Sequence, residues 1–253
     1  MIEGCYFYNN SASIGGALAI LSNSSSYYPV AITNSTFIDN HVSNNKDVYV
    51  GDGGGIYIES SSGPVTIENC FFSGNNCPKG SGGGIRVKTS DQLNDTTTSI
   101  TFYNNQFLHN FGASGGAISV SQALTMQLNY FYNNSAVEGG GAITFDRGYP
   151  TIRNNTFEMN FSEQMGGAIH LTNEIEGEIS DCNFYNNFAD DGGAVYALHN
   201  TSTIITNCYF ISNIANDTGG AIAVSNFKES SSNYFFLFSF FSLFIFYCSF
   251  FAS

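Results

Sequence analysis

A double repeat runs along this chain and constrains its fold more than any other feature. Eight times a Phe is followed three residues later by an Asn, and a Gly-Gly pair then leads into an aliphatic stretch. The Phe are Phe7, Phe37, Phe72, Phe107, Phe131, Phe157, Phe184 and Phe210, and the Asn are Asn10, Asn40, Asn75, Asn110, Asn134, Asn160, Asn187 and Asn213. Repeats of this kind, in which each unit contains the alternating pattern of a strand, are typical of a solenoid whose repeats are stacked coils. The sequence therefore predicts an all-β, right-handed parallel β-helix of about eight coils.

Alignment on the Phe predicts the structural role of each position in a coil. The Phe rings should form a stacked column in the core, with coils about 4.8 Å apart. The Asn should form a hydrogen-bonded ladder at a bend. Three residues before the Phe, six of the eight repeats have Asn or Asp, which suits a left-handed corner; Gly4 and Leu128 are the exceptions. We expect this corner to be buried, so that a glycan would not fit at Asn34 or Asn154, and we expect three strands per coil.

The strand after each glycine pair alternates, which predicts that every second residue points out of the coil. These outward residues are Ala19, Tyr57, Arg86, Ser119, Thr144, His170, Tyr196 and Ala223. The row is chemically mixed and has no carboxylate. None of the four His has a Cys or a second His at metal-ligand spacing, so His170 is interpreted as a surface imidazole and no metal or cofactor is predicted.

The pairing of Phe131-Tyr132-Asn133-Asn134 with Gly140-Gly141-Ala142-Ile143 resembles the repeats of polymorphic outer membrane proteins and other right-handed β-helix proteins of the pectin-lyase-like superfamily. The resemblance covers residues 2 to about 224. It implies a secreted or surface-displayed region. It does not select a function, because the superfamily includes adhesins, surface antigens and polysaccharide enzymes.

Charge and composition exclude some partners and leave others open. The net charge is −13 with only seven basic residues, so a phosphate-binding stripe cannot be assembled and nucleic acid is a poor partner. An acidic, Ser/Thr-rich exterior favours an extracellular or cell-surface location, with protein or glycan as the partner. Nine Asn-x-Ser/Thr sequons permit glycosylation but do not establish it, because chance alone predicts roughly six.

Two Cys occupy the same position in successive repeats. Cys182 and Cys208 both stand two residues before a Phe, where a disulfide between coils could form. Other repeats have Ser or Asn at this position, which favours a small, semi-polar slot in which Cys is one acceptable residue. We therefore favour free thiols over the bridge.

Long connections in the first half of the chain are candidate recognition loops. Tyr27, Tyr28, Tyr49 and Tyr57 lie in or beside them, and Arg86 and Lys88 lie on the following coil. Exposed tyrosines could stack on sugar rings or anchor a protein. The alternative is that these rings pack on their own coil.

Three functional hypotheses stay open, and the last of them is that this chain is a purely structural segment of a much larger, membrane-tethered protein. The first is a non-enzymatic scaffold or adhesin-like module for protein or glycan partners. The second is a polysaccharide lyase or glycoside hydrolase, which would need Asp52, Glu59, Arg86, Lys88 and Asp91 to converge within hydrogen-bonding reach. We favour the first, and interpret Glu59 with Arg86 and Lys88 as a solvated salt bridge.

The C-terminal region departs from the repeat. We divide the chain into a repeat region, residues 1–227, which is expected to be part of a longer solenoid, and a Phe-rich tail, residues 228–253. Residues 234–253 contain 16 apolar residues in 20 and no charge. That length could span a bilayer as a helix and anchor the protein, whereas the narrow composition is equally consistent with a translation artefact.

Overall fold

The chain folds into a β-solenoid with four strands in each coil. The computed structural model describes residues 1–21, 29–43, 51–60, 63–89, 99–172, 175–198, 201–225 and 236–238. These residues form four parallel sheets, one of nine strands and three of eight, and contain no helix. The prediction of an all-β parallel β-helix of about eight coils is confirmed. The expected three strands per coil were wrong, because a short additional strand lies between the bend Asn and the glycine pair.

We name the four sheets A to D in the order in which the chain enters them. Sheet A consists of Ile2–Glu3, Val30–Thr33, Val65–Glu68, Ile100–Tyr103, Leu124–Gln127, Thr151–Arg153, Glu176–Ser180, Ser202–Thr206 and Phe236–Phe238. Sheet B consists of Tyr6–Tyr8, Thr36–Ile38, Phe71–Ser73, Gln106–Leu108, Tyr130–Tyr132, Thr156–Glu158, Asn183–Tyr185 and Tyr209–Ile211.

Sheet C contains the additional strands, and sheet D follows the glycine pairs. Sheet C consists of Ser11–Ala12, His41–Val42, Asn76–Ser81, Phe111–Ser114, Ser135–Gly139, Phe161–Ser162, Phe188–Asp191 and Ile214–Thr218. Sheet D consists of Leu18–Leu21, Ile56–Ser60, Ile85–Thr89, Ile118–Val120, Ile143–Phe145, Ile169–Leu171, Val195–Ala197 and Ile222–Val224.

The eight repeat Phe form one continuous column in the core, as predicted. Each ring lies in register with the next, and neighbouring ring centroids are 4.6 to 4.9 Å apart with the planes within 6° of parallel. From Phe37 to Phe184 these rings have no solvent exposure. Burial of an aromatic ring in every coil is a large share of the apolar surface that the fold removes from water.

The eight bend Asn form the predicted ladder, and every rung follows the same pattern. Asn134 is representative, because its Nδ2 donates to Oδ1 of Asn160 at 3.0 Å and to the carbonyl oxygen of Phe107 at 2.9 Å. Its Oδ1 accepts from the backbone N–H and the Nδ2 of Asn110, at 3.0 and 2.9 Å. The ladder thus satisfies backbone groups at the bend that would otherwise be buried without partners.

The corner three residues before each Phe is left-handed in all eight coils, including the two that depart from the Asn/Asp pattern. Gly4 and Leu128 both have a φ of 60°. Leu128 is 46% exposed, so its side chain gains little packing in return for this unfavourable backbone conformation. Asn34 and Asn154 are exposed, so the expectation that this corner is buried and closed to a glycan was wrong.

The Cys position forms a second, partial ladder inside the coil. Asn105, Asn129 and Asn155 link successive coils through side-chain hydrogen bonds of 2.9 to 3.0 Å. Cys182 and Cys208 are free thiols, and each donates to a backbone carbonyl two residues earlier at 3.2 Å. The small semi-polar slot predicted for this position is therefore what the structure contains.

The glycine pair makes the turn from sheet C into sheet D. The first glycine of every pair has a positive φ, between 60° and 75°. At the second glycine there is no room for a side chain, because a Cβ at Gly141 would overlap the carbonyl oxygen of Gly167 in the next coil. Two consecutive glycines are required here for these two separate reasons.

One strand of the Phe-rich tail is described, and it continues the solenoid. Phe236–Phe238 pairs in parallel with Ile204–Thr206, so that Leu237 lies opposite Ile205 in sheet A. The rest of residues 226–253 lies outside the described part of the chain. Across the residues that are described, no helix has the length and apolar character needed to cross a membrane.

Candidate functional site

The outward row of sheet D contains Arg86 and His170, two of the residues that the sequence singles out. The row runs in register through neighbouring strands as Ala19, Tyr57, Arg86, Ser119, Thr144, His170, Tyr196 and Ala223. From Tyr57 onward, however, it is closed to solvent. Ser119 and Thr144 are at most 1% exposed, and the side chain of Arg86 is 11% exposed.

The row is buried because the ends of the sheet C strands pack against it. The Oγ1 of Thr144 donates to the carbonyl oxygen of Gly139 at 2.8 Å, and Ser114 lies within hydrogen-bonding distance of the same hydroxyl, at 3.1 Å. Gly139 also lies so close to His170 that a Cβ there would overlap the ring nitrogen Nδ1. Sheets C and D therefore meet at a closed corner that leaves no open cleft along these positions.

Arg86 is the centre of a buried polar network. Its Nη1 donates to Oδ2 of Asp146 at 2.8 Å and also to the hydroxyl of Ser119, while its Nη2 donates to Oγ of Ser121 at 3.0 Å. Ser121 donates to the same carboxylate oxygen of Asp146 at 2.9 Å. The predicted pairing of Arg86 with Glu59 is thus replaced by a pairing with Asp146, two coils further along. This arrangement compensates a buried charge and is typical of a structural ion pair.

The described residues proposed for acid–base catalysis lie on two neighbouring coils, but Arg86 and Asp52 already bind other groups of the protein. Lys88 lies directly opposite Glu59, and Arg86 lies opposite Tyr57. A carboxylate oxygen of Asp52 accepts the backbone N–H of Ser81 at 2.7 Å. Burial raises the pKa of the Tyr57 hydroxyl, and the carboxylates of Glu59 and Asp52 raise it further. Asp91 lies outside the described residues.

His170 is buried, so its interpretation as a surface imidazole was wrong. The residue is 6% exposed, and its ring meets that of Tyr196 edge-on with centroids 5.5 Å apart. Within the described structure, its Nε2 has no hydrogen-bond partner. Burial lowers the pKa of His170 to about 4, although the carboxylate of Asp146 opposes the shift. The imidazole is therefore neutral at physiological pH.

The candidate ligand contacts at the loops are divided between described and undescribed parts of the chain. Tyr27, Tyr28 and Tyr49 lie outside the described residues. Tyr57 is 7% exposed, which leaves its ring little free surface, whereas Lys88 is exposed. Among the residues that the structure describes, no group of three or more His, Cys, Asp or Glu side chains is placed to hold a metal ion.

The sequence argument did not identify an aromatic surface on the outward face of sheet B. Tyr130 and Tyr132 flank the buried Phe131 and point away from the core, with ring centroids 6.0 Å apart and planes inclined by 24°. Tyr130 donates from its hydroxyl to Oε2 of Glu158 at 2.7 Å; burial and then this hydrogen bond raise the pKa of Tyr130 to about 12. The signal was available in the sequence, because these tyrosines directly flank a repeat Phe.

Comparisons with known proteins agree with this architecture. A family model described as the right-handed beta helix region matches residues 54–235. The probable outer membrane protein pmp7 of Chlamydia pneumoniae is 29% identical over 136 residues, a stretch that covers 50% of this chain and 14% of that protein. No solved structure matches the chain.

Proposed function

Because this chain belongs to the family of right-handed β-helix regions, we propose that it is a non-enzymatic, surface-displayed scaffold that holds outward side chains in fixed positions for protein or glycan partners. The family alone does not decide this, since one fold carries many functions. The similarity to a probable outer membrane protein supports placement at the cell surface. The chain spans about a seventh of that relative, so the activity of the whole relative is not transferred to it.

The observation that carries the proposal is that the Asn ladder and the Phe column continue through the core, whereas the polar row on sheet D is closed to solvent. The Asn ladder and Phe column run through all eight coils, so the outward residues stand on a rigid frame. In contrast, the row on sheet D is sealed by the ends of sheet C. General acid–base catalysis needs groups that reach a substrate, and Arg86 and Asp146 bind each other instead.

Surface labelling tests the proposed location. Antibodies raised against residues 1–225 should label intact cells that express the protein as strongly as permeabilised cells. Removal of the epitope by a protease added outside the cell should abolish the signal. Labelling that appears only after permeabilisation would contradict surface display.

Binding and turnover assays separate the scaffold from the enzyme alternative. Beads coated with the full chain should attach to cultured cells more strongly than beads coated with an unrelated β-helix protein. The same chain, incubated with pectic and neutral polysaccharides, should release no reducing ends or unsaturated products. Turnover that is lost in Asp52→Asn and Glu59→Gln variants would instead establish the lyase or hydrolase.

A further inference from the structure

The outward face of sheet B has a composition unlike that of the neighbouring sheet A. Eight three-residue strands each point two side chains outward, and six of these are tyrosines: Tyr6, Tyr8, Tyr130, Tyr132, Tyr185 and Tyr209. We call this set the tyrosine face. Phe71 adds a seventh aromatic ring on the third coil. By contrast, the outward positions of sheet A are mostly Thr and charged residues, such as Glu68 and Arg153.

The rings of the tyrosine face form recurring flat platforms. In the first coil, the rings of Tyr6 and Tyr8 lie 6.3 Å apart with their planes inclined by 25°. In the fifth coil, Tyr130 and Tyr132 repeat this arrangement at 6.0 Å and 24°. The hydrogen bond from Tyr130 to Glu158 holds one ring of the second platform in place before any ligand arrives. Such preorganisation lowers the entropic cost of binding.

Aromatic residues recur along the outward face of sheet B. They occupy the first, third, fifth, seventh and eighth strands, and the two paired platforms lie on the first and the fifth. Strands in a sheet lie about 4.8 Å apart, so the two platforms are separated by roughly 19 Å, with single rings between and beyond them. A ligand that contacts both platforms must therefore extend along the solenoid axis.

The charge of the face limits the chemistry of its ligand. Glu158 is the one charged residue among the outward positions of sheet B, and its carboxylate already accepts from Tyr130. The chain as a whole has a net charge of −13, and this face has no basic residue to attract an anionic polymer. Nor does it have the cluster of carboxylates that a cationic polymer would require. The face therefore suits an uncharged ligand.

The shape of the face favours a linear polymer over a globular partner. Eight strands at about 4.8 Å spacing give a strip roughly 38 Å long, and three residues at about 3.3 Å each give a width of roughly 10 Å. The resulting area, about 400 Å², is half of the roughly 800 Å² per partner that a standard protein–protein interface or stable dimer needs. A single polysaccharide chain lying along the solenoid axis would fill such a strip.

From these observations we propose that the tyrosine face binds an uncharged linear polysaccharide, which lies along the solenoid axis. Tyrosine provides both contacts that such a ligand requires. Its ring offers a flat apolar surface to the C–H face of a pyranose ring, and its hydroxyl offers a hydrogen bond to a sugar hydroxyl. This inference rests on the proposed role as a surface module, and it names the surface and the ligand class.

Titration of the full chain with purified hexasaccharides tests the inference. Cellohexaose and chitohexaose should bind in isothermal titration calorimetry, and the anionic hexasaccharide of polygalacturonate should not. The double variant Tyr130→Ala/Tyr132→Ala should weaken binding of the neutral probes at least tenfold. The matched control Tyr149→Ala removes a 58%-exposed tyrosine outside the face and should leave affinity unchanged.

A second variant guards against loss of folding in the double mutant. Tyr132→Phe keeps the ring and removes the hydroxyl, so it should retain the fold and lose less affinity than the double variant. Binding that is unchanged in the double variant, binding of the anionic probe alone, or binding of no probe would each overturn the inference. If binding of the neutral probes is unchanged in the double variant while beads coated with the unsubstituted chain attach to cells, the scaffold function stands and only the tyrosine face is excluded.

Discussion

Substitution of one Asn in the middle of the ladder should cost far more stability than substitution of an exposed Asn. Asn134 is fully buried and makes four side-chain hydrogen bonds. Asn134→Ala leaves two buried donors without a partner, the backbone N–H of Asn110 and one Nδ2 hydrogen of Asn110. Each unsatisfied buried group costs about 1–3 kcal/mol, so we expect a total loss of roughly 2–6 kcal/mol.

The matched control makes the same chemical change on the surface. Asn76 is exposed in sheet C, and Asn76→Ala should change stability by less than about 0.5 kcal/mol. Urea unfolding followed by circular dichroism measures the difference between the two variants. Because the hydrogen bonds of the Asn134 side chain reach only the fourth and sixth coils, hydrogen exchange should also locate the loss in the fourth to sixth coils.

The size of the effect decides whether the ladder stabilises the solenoid. If Asn134→Ala and Asn76→Ala differ by less than about 0.5 kcal/mol, the hydrogen bonds of the ladder contribute no net stability and the reasoning is refuted. A loss spread evenly over all eight coils in hydrogen exchange would contradict the nearest-neighbour part of the argument.

Three further predictions follow from the core, the corner and the buried imidazole. Phe131→Ala should destabilise the protein by about 3–5 kcal/mol in urea unfolding, whereas Phe161→Ala, at a 38%-exposed position, should cost much less; equal losses would contradict a stacked core. Leu128→Asn should raise stability by about 1 kcal/mol because it relieves the left-handed backbone at φ 60°, and no gain in melting temperature would refute this. The pKa of His170 falls from 6.5 to about 4 on folding. The free energy of unfolding is therefore highest above pH 6.5, and it decreases as the pH falls toward 4 because the unfolded state takes up the proton first. That loss should total about 3 kcal/mol and be absent in His170→Gln; an unchanged pH profile in that variant would contradict it.

The sequence predicted the elements that depend on one residue recurring in every coil. The Phe column and the Asn ladder were recognisable because the side chain at each position stacks on an identical one. The left-handed corner was recognisable because Asn and Asp tolerate that backbone. At Leu128 the same corner persists without a suitable residue, since the neighbouring coils impose the turn.

The sequence did not predict features that depend on how one sheet packs against another. Sheet C was missed because strands such as Ser11–Ala12 are too short to show periodicity. Alternation indicated correctly that His170 points away from its own coil's core, but it gave no sign that the end of sheet C covers this side. The ionic partner of Arg86 was missed for a related reason, because Asp146 lies just beyond a strand two coils away.

The in-register stack of eight coils is tested most directly by distances between equivalent positions. Tyr8, Tyr132 and Ile211 occupy the same outward column of sheet B in the first, fifth and eighth coils. Spin labels attached to cysteines introduced at positions 8 and 132, or at positions 8 and 211, report these separations by double electron–electron resonance in a background in which Cys5, Cys208 and Cys248 are replaced by Ser. Four and seven steps of about 4.8 Å predict backbone separations of roughly 19 and 34 Å. Distances that do not increase in this four-to-seven ratio would contradict the stacked solenoid.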